Sequence, residues 1–159
     1  MISIEINDEH DRATGLRDQI ERAVSSVLSD ANIANAEISI AVVDDRTIWK
    51  LNREFLEHDY PTDVLSFVLS HDDGRLEGEI VVSADTAARE AEQHDWPADN
   101  ELLLYVVHGA LHLVGYDDST QDQRQEMRGR EKQILLRFEI VVPNCPAKTL
   151  SAASGGTQS

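Results

Sequence analysis

Ile2, Ile4 and Ile6 alternate with Ser3 and Glu5, the two-residue period of a strand with one face buried and the other in water. Asn7 and Asp8 follow as turn residues. The period then changes: Leu16, Ile20, Ala23, Val24, Val27 and Leu28 recur at helical steps, which predicts a helix over 15–29 with Thr14 as its N-cap. A second, more buried strand spans 37–43, with Ile38, Ile40 and Val42 on one face and Ala41 and Val43 on the other. Asp44 and Asp45 end it, and Asp45 is placed to cap a helix in which Ile48, Leu51, Asn52 and Phe55 share one side. The Pro61-Thr62 turn precedes the apolar run Val64-Leu65-Ser66-Phe67-Val68-Leu69, a third strand. His71-Asp72-Asp73-Gly74-Arg75 reads as a hairpin turn into a fourth strand at 79–82, and 84–94 as a helix.

After Pro97, residues 99–113 carry an apolar face of Leu102, Leu103, Val106, Ala110 and Leu113. This helix stops at Gly115, a residue that adopts the left-handed conformation at no steric cost. A last helix is expected over 120–137. From Pro143 the periodicity disappears and Pro, Ala, Ser and Gly dominate, so 1–142 is expected to form one domain and 143–159 a tail outside it. Strands mixed with helices indicate an α/β or α+β packing of helices on a sheet.

Composition narrows the setting. A chain of 159 residues with 41% hydrophobic residues can bury about two thirds of its unfolded surface in one core. It shows neither an apolar run of membrane-spanning length nor a basic, apolar leader, and its single cysteine, Cys145, cannot form an internal disulfide. A cytoplasmic location is expected. The 14 basic and 30 acidic residues give a net charge of −16, which opposes binding to naked nucleic acid. That charge is unevenly spread: residues 1–107 hold 8 basic and 24 acidic residues, and residues 108–159 hold 6 of each.

The chemistry concentrates in His108-Gly109-Ala110-Leu111-His112-Leu113-Val114-Gly115-Tyr116-Asp117-Asp118. On a helix, His108 and His112 stand one turn apart, so both imidazoles leave the same face at a spacing that suits two ligands of one metal. In a chain with six histidines such a pair is a weak signal by itself. Gly115, which breaks the helix, and Asp118, which can return as a third ligand, complete the H-x-x-x-H-x-x-G-x-x-ligand spacing of metzincin zinc sites. Three protein ligands leave a coordination position open, and water bound there ionises near pH 7, ready to attack a phosphoryl or acyl centre. Gly109 stands where H-E-x-x-H metalloproteases carry their glutamate base, so a peptidase would lack that base. Asp117 is either a partner that orients a ligand imidazole or an alternative oxygen ligand, and the spacing favours Asp118.

This segment resembles the signature of the YbeY family of bacterial endoribonucleases and ribosome-maturation factors, His-Gly-x-Leu-His-Leu-x-Gly-Tyr-Asp-His. Leu51-Asn52-Arg53-Glu54-Phe55, followed by Asp59-Tyr60-Pro61-Thr62-Asp63-Val64-Leu65-Ser66-Phe67, is similar to a second hallmark of that family, and Gly78-Glu79-Ile80-Val81-Val82 to its Gly-Asp-Ile strand. The resemblance spans 38–137 in order. It implies an α+β fold with a small mixed, mostly parallel, four-stranded sheet packed with about five helices, a metzincin-like metal-site helix, and a cleft lined by residues 62–67. It implies a zinc-dependent, single-strand-specific endoribonuclease engaged in late-stage 70S ribosome quality control and in maturation of the 16S rRNA 3′ end. One Zn2+ would sit on His108, His112 and Asp118. Ribosomal RNA, the small ribosomal subunit and accompanying proteins would be the partners, without DNA or membrane.

Two positions depart from the pattern. Asp118 replaces the usual third histidine, and its charge makes the metal a weaker Lewis acid and shifts preference toward harder divalent ions. Leu56 stands where many members carry an arginine implicated in RNA cleavage, so phosphate stabilisation has to come from elsewhere. Arg124, Arg128 and Lys132 form a basic stripe on the last helix, either a phosphate contact or a solvated face balanced by Glu126 and Glu131. Thr62, Asp63 and Ser66 either touch substrate or only shape the entry into the third strand, and His58 and Asp59 are weaker candidates. Competing with the nuclease are a metallopeptidase-like hydrolase and a non-catalytic ribosome-assembly factor with a structural metal. A chain this acidic binds free RNA poorly, so the substrate is expected to arrive with a protein partner or within the ribosomal particle, facing the neutral C-terminal half.

Overall fold

A computed structural model describes residues 1–56 and 63–143, the side chains of Phe55 and Leu56 apart. Among these residues lie β1 (Ile2–Asp8), α1 (Arg17–Asp30), β2 (Asn35–Val43), α2 (Asp45–Leu56), β3 (Val64–Asp72), β4 (Arg75–Ser83), α3 (Ala84–His94), α4 (Ala98–Leu113) and α5 (Gln121–Leu136). The strands form one sheet in the order β1-β2-β4-β3. β1 and β4 both run parallel to β2, while β3 pairs antiparallel with β4, so the expected α+β fold with a mixed, mostly parallel sheet is what forms. The β3–β4 hairpin closes at Asp73 and Gly74, whose φ angles of 51° and 74° suit the tight turns that join twisted strands. No helix among the described residues is long and apolar enough to cross a membrane.

Alternation along the strands divides the apolar residues between two faces. Ile38, Ile40 and Val42 of β2, Ile80 and Val82 of β4 and Val64 of β3 join the main core with α1, α4 and α5. Val43, Val81 and Leu65 point the other way and pack with Ile48 and Leu51 of α2. β3 is therefore a wall shared by two helices, α2 on one side and α4 on the other. The sequence pattern predicts one buried face on α4, yet Leu102 to Ala110 are buried without a break. The sheet, α1, α3 and α5 all contact this helix, and a helix enclosed on every side does not need an amphipathic pattern.

Some local expectations shift. Thr14 does not cap α1: it lies in a 3-10 turn, Thr14–Leu16, ahead of the helix, where Asp8 accepts the Arg12 and Ala13 backbone N–H groups. Asp44 caps α2 in place of Asp45, its carboxylate accepting the Thr47 N–H at 2.8 Å. Asp45 instead accepts the Ser83 and Thr86 hydroxyls and pairs with Arg89, tying α2 to α3. β3 and β4 extend beyond their expected runs because hairpin pairing continues to the turn, and on β4 the added Leu76 joins the main core. Val68 and Leu69, 53% and 66% exposed, sit at the register shift between Val68 and Ser70.

α4 can approach the sheet closely because position 109 has no side chain. A Cβ on Gly109 would lie 2.7 Å from Ile80 Cγ2, 3.1 Å from Ser66 Oγ and 3.2 Å from Val64 Cγ2, and none of these atoms is the tip of a flexible chain. Gly109→Ala is expected to destabilise the fold by about 1–3 kcal/mol, read from urea unfolding. An unchanged midpoint would show that α4 does not need this contact.

Candidate metal centre

His108 and His112 lie in the last turns of α4, with ring centroids 4.8 Å apart. The chain then reverses: Gly115 takes φ 108°, and the Tyr116 N–H closes back on the Leu111 carbonyl at 3.0 Å. The short loop that follows is fastened before α5 begins. Asp117 Oδ1 accepts the Asp118 N–H at 2.8 Å, Asp117 Oδ2 accepts the Ser119 hydroxyl at 3.1 Å, and Arg124 donates to the Asp118 carbonyl at 3.2 Å. Thr120 and Gln123 form a reciprocal capping box on α5.

These restraints place Asp118 Oδ2 3.6 Å from His108 Nε2 and 3.5 Å from His112 Nε2. One ligand atom from each of the three residues lies within 4.8 Å of the others. Donors held at about 2.0–2.1 Å around a tetrahedral ion stand about 3.4 Å from one another, so the observed spacings are close to those of a formed site. His112 Nε2 is buried and has no hydrogen-bond partner among the described residues. Its contact with Asp118 is too long for a hydrogen bond of ordinary strength, and a buried nitrogen left without a partner costs about 1–3 kcal/mol. A divalent ion removes that cost, and two imidazoles with one carboxylate form a donor set that zinc and its neighbours accept.

Glu131 completes the arrangement from α5. Its Oε2 lies 2.6 Å from His108 Nδ1, and both side chains are buried. A carboxylate there keeps the proton on Nδ1 and turns the Nε2 lone pair toward Asp118, as expected of a metal-binding histidine. Burial alone would lower the pKa of His108, but Asp118 and Glu131 on its two ring nitrogens, with the charge of Asp63, outweigh it and push the value up to about 10. Burial likewise raises Asp118, and its close contacts with the His108 and His112 imidazoles outweigh that and hold the carboxyl below the usual range. The metal-free centre thus holds an imidazolium between carboxylates, and an incoming cation replaces that proton.

The other candidates divide. Ser66 is buried and its hydroxyl donates to the Gly109 carbonyl at 3.1 Å, joining β3 to α4. Asp63, 2% exposed, lies close enough to raise the His108 pKa. Arg124 braces the Asp118 loop, Arg128 is half-buried, and Lys132 is exposed. Asp117 binds its own loop, so the residue that orients an imidazole is Glu131. That residue was expected on a solvated face; it is buried instead, in a stripe with Met127, Ile134 and Leu135, and one acid within an apolar stripe is the signal that marks it. Thr62, His58, Asp59 and the side chain of Leu56 lie outside the described residues.

Two expectations follow. Glu131→Ala should weaken metal affinity about 10–100-fold, measured by chelator competition, with Glu131→Gln losing less because its amide oxygen still accepts from Nδ1. His108, with its pKa raised, stabilises the metal-free fold fully below about pH 6.5 and loses that contribution as pH climbs toward about 10. Asp118, with its pKa lowered, contributes above the ordinary carboxylate range and loses its share only in acid. The metal-free melting temperature should therefore decline from pH 6.5 to 9. Calorimetry at pH 7 in buffers of different ionisation heat should show close to one proton released per ion bound. A flat melting profile or no released proton would contradict this charge assignment.

Comparison with known proteins supports the same reading. Residues 2–139 match the family model described as Endoribonuclease YbeY. Curated proteins named Endoribonuclease YbeY include one from Rhodopseudomonas palustris, 41% identical over 137 residues, covering 82% of this chain and 70% of that protein. Another, from Bacillus licheniformis, is 36% identical over 150 residues, covering 86% and 95%. The solution structure of a Thermotoga maritima protein shares the fold at TM-score 0.61 and 24% identity, over 92% of this chain and all of that one. A match over residues 2–139, on a fold that brings the motif residues together, leaves one assignment: this chain belongs to the YbeY family of endoribonucleases.

Proposed function

We propose that the chain is a zinc-dependent, single-strand-specific endoribonuclease of the cytoplasm that acts on small-subunit ribosomal RNA, in maturation of the 16S 3′ end and in late-stage 70S quality control. Residues 1–142 would form the hydrolase domain and 143–159 a tail. The observation that carries the reading is the convergence of His108, His112 and Asp118 with the buried, unpartnered His112 Nε2. His108, His112 and Asp118 would hold the ion. A divalent ion on these ligands supplies a Lewis acid for phosphoryl oxygens and an acidified water.

The protein's own contribution is positional. Glu131 fixes the His108 tautomer, Arg124 and Asp117 fasten the loop that delivers Asp118, and the Ser66 bond to α4 holds the helix against β3. Asp63 and Ser66 are the described polar substrate-binding candidates of the expected cleft at 62–67, and Arg124 and Arg128 are the candidate phosphate contacts on α5. Gly109, pressed against the sheet, provides no carboxylate base, which favours the nuclease over a peptidase. The net charge of −16 favours RNA delivered by a protein partner or the ribosomal particle.

The test pairs elemental analysis with cleavage of a structured RNA that has a single-stranded 3′ end. Wild type is expected to carry close to one zinc per chain and to cut the strand. His112→Ala should lose the ion and at least about 100-fold in rate, whereas Asp118→His should keep both. Equal cutting by wild type and His112→Ala would trace the activity to a contaminant. A metal-replete protein that binds ribosomal subunits and cuts nothing would favour the assembly-factor reading.

A further inference from the structure

α2 presents an outer face unlike the rest of the acidic N-terminal region. Arg46, Trp49, Lys50 and Arg53 are all exposed, so three of the eight basic residues among the first 107 fall on one helix of 12 residues. Arg46, Lys50 and Arg53 share one side at helical spacing. The Arg53 guanidinium lies over the Trp49 ring at 5.5 Å, and Trp49 is 39% exposed. The face cannot turn inward, because Ile48 and Leu51 hold the opposite side of the helix against Leu65 and Val81.

Carboxylates neutralise other basic residues of this region: Arg12 pairs with Asp85, Arg22 with Asp18, Arg75 with Glu37 and Arg89 with Asp45. Arg46, Lys50 and Arg53 make no ion pair among the described residues, and Asp45 beside them is taken up by Ser83, Thr86 and Arg89. Glu54 is the exposed acid that borders the stripe. Unpaired cations around an exposed aromatic plane are the combination that grips single-stranded nucleic acid, cations on phosphates and the ring under a base. An acidic peptide would use the cations and leave the ring idle.

Resting on the reading of the chain as a ribonuclease, we propose that the outer face of α2 is an auxiliary docking site for single-stranded RNA, with Trp49 stacking on a base and Arg46, Lys50 and Arg53 on the flanking phosphates. Its place suits that role. β3 separates α2 from α4, with Leu65 under one helix and Val64 against the other. β3 is the edge strand of the sheet, so RNA held on α2 would reach the His108 centre by passing around that edge. A local basic face also offsets the repulsion that a net charge of −16 would otherwise impose on the strand.

The experiment measures binding of a non-cleavable 2′-O-methyl oligopyrimidine to the metal-loaded protein across a salt series. Arg46→Gln/Lys50→Gln/Arg53→Gln is expected to make the slope of log K against log salt shallower by about 2, since each single-strand phosphate contact contributes about 0.7. Trp49→Ala should weaken binding about 5- to 100-fold, and the quenching of fluorescence that accompanies binding should vanish in Trp49→Phe. Arg22→Gln/Arg75→Gln, which alters charge elsewhere, should keep the wild-type slope, and melting temperature with metal content checks the fold of every variant. A triple variant with wild-type slope and affinity overturns the α2 site, and so does oligoglutamate binding as tightly as RNA, which assigns the face to an acidic protein. If wild type cleaves RNA while the slope stays unmoved, the α2 inference alone fails; if wild type neither binds nor cleaves RNA, the ribonuclease reading fails with it.

Discussion

The architecture depends on burying α4 on all sides while keeping polar groups on it. A helix enclosed by a sheet and three other helices leaves no water for a side chain that cannot find a partner, and each such group costs stability. At its N-terminal end, Glu101 Oε1 accepts the Trp96 indole N–H at 2.6 Å and lies 3.1 Å from His94 Nδ1, Glu101 Oε2 and the Tyr105 hydroxyl have no hydrogen-bond partner among the described residues, and a carboxylate in the first turn complements the helix dipole. At its C-terminal end, His108 is satisfied by Glu131 and Asp118. His112 Nε2 has no hydrogen-bond partner among the described residues, and it is one of the atoms that point into the triad. Of the α4 atoms without a hydrogen-bond partner among the described residues, His112 Nε2 is the one beside His108 and Asp118, where a cation can sit.

Two further features make that burial workable. Gly109 removes the side chain that would hold α4 off the sheet, and the Ser66 hydroxyl on its carbonyl locks the approach. The loop between α4 and α5 is short and closely bonded, so Asp118 arrives on a rigid support. Asp118 fits this support, because its short carboxylate lies beside both Nε2 atoms. Its charge would offset a bound cation directly and make it a milder Lewis acid than neutral ligands would.

Electrostatics follow a division of labour across the sheet. The side carrying α1, α4 and α5 holds the buried carboxylates and imidazoles of the metal centre, where charges are paired at close range. The side carrying α2 holds cations that face solvent, where interactions are screened and weaker per contact but reach a flexible polyanion. A protein with this distribution can be acidic overall, and hence soluble near abundant polyanions without sticking to them, while remaining basic where contact is useful.

Most of this organisation was legible from local pattern. The two-residue period in β1 and β2, the helical period in α1, the glycine after α4 and the His108, His112, Asp118 spacing are short-range features, fixed by backbone geometry within one or two elements. The resemblance over 38–137 supplied the sheet's mixed character. What escaped depends on contacts between distant residues. Asp44 displaced Asp45 as a cap because Asp45 had better partners on α3, some 40 positions away. Glu131 read as a surface acid because its partner, His108, lies 23 residues back on another helix. The seamless burial of α4 was hidden because amphipathic pattern shows one buried face and cannot show how many neighbours enclose it. The sequence by itself determined which residues could bind an ion. Only the tertiary structure decided which carboxylate would hold the imidazole, because that choice is made by packing α5 against α4.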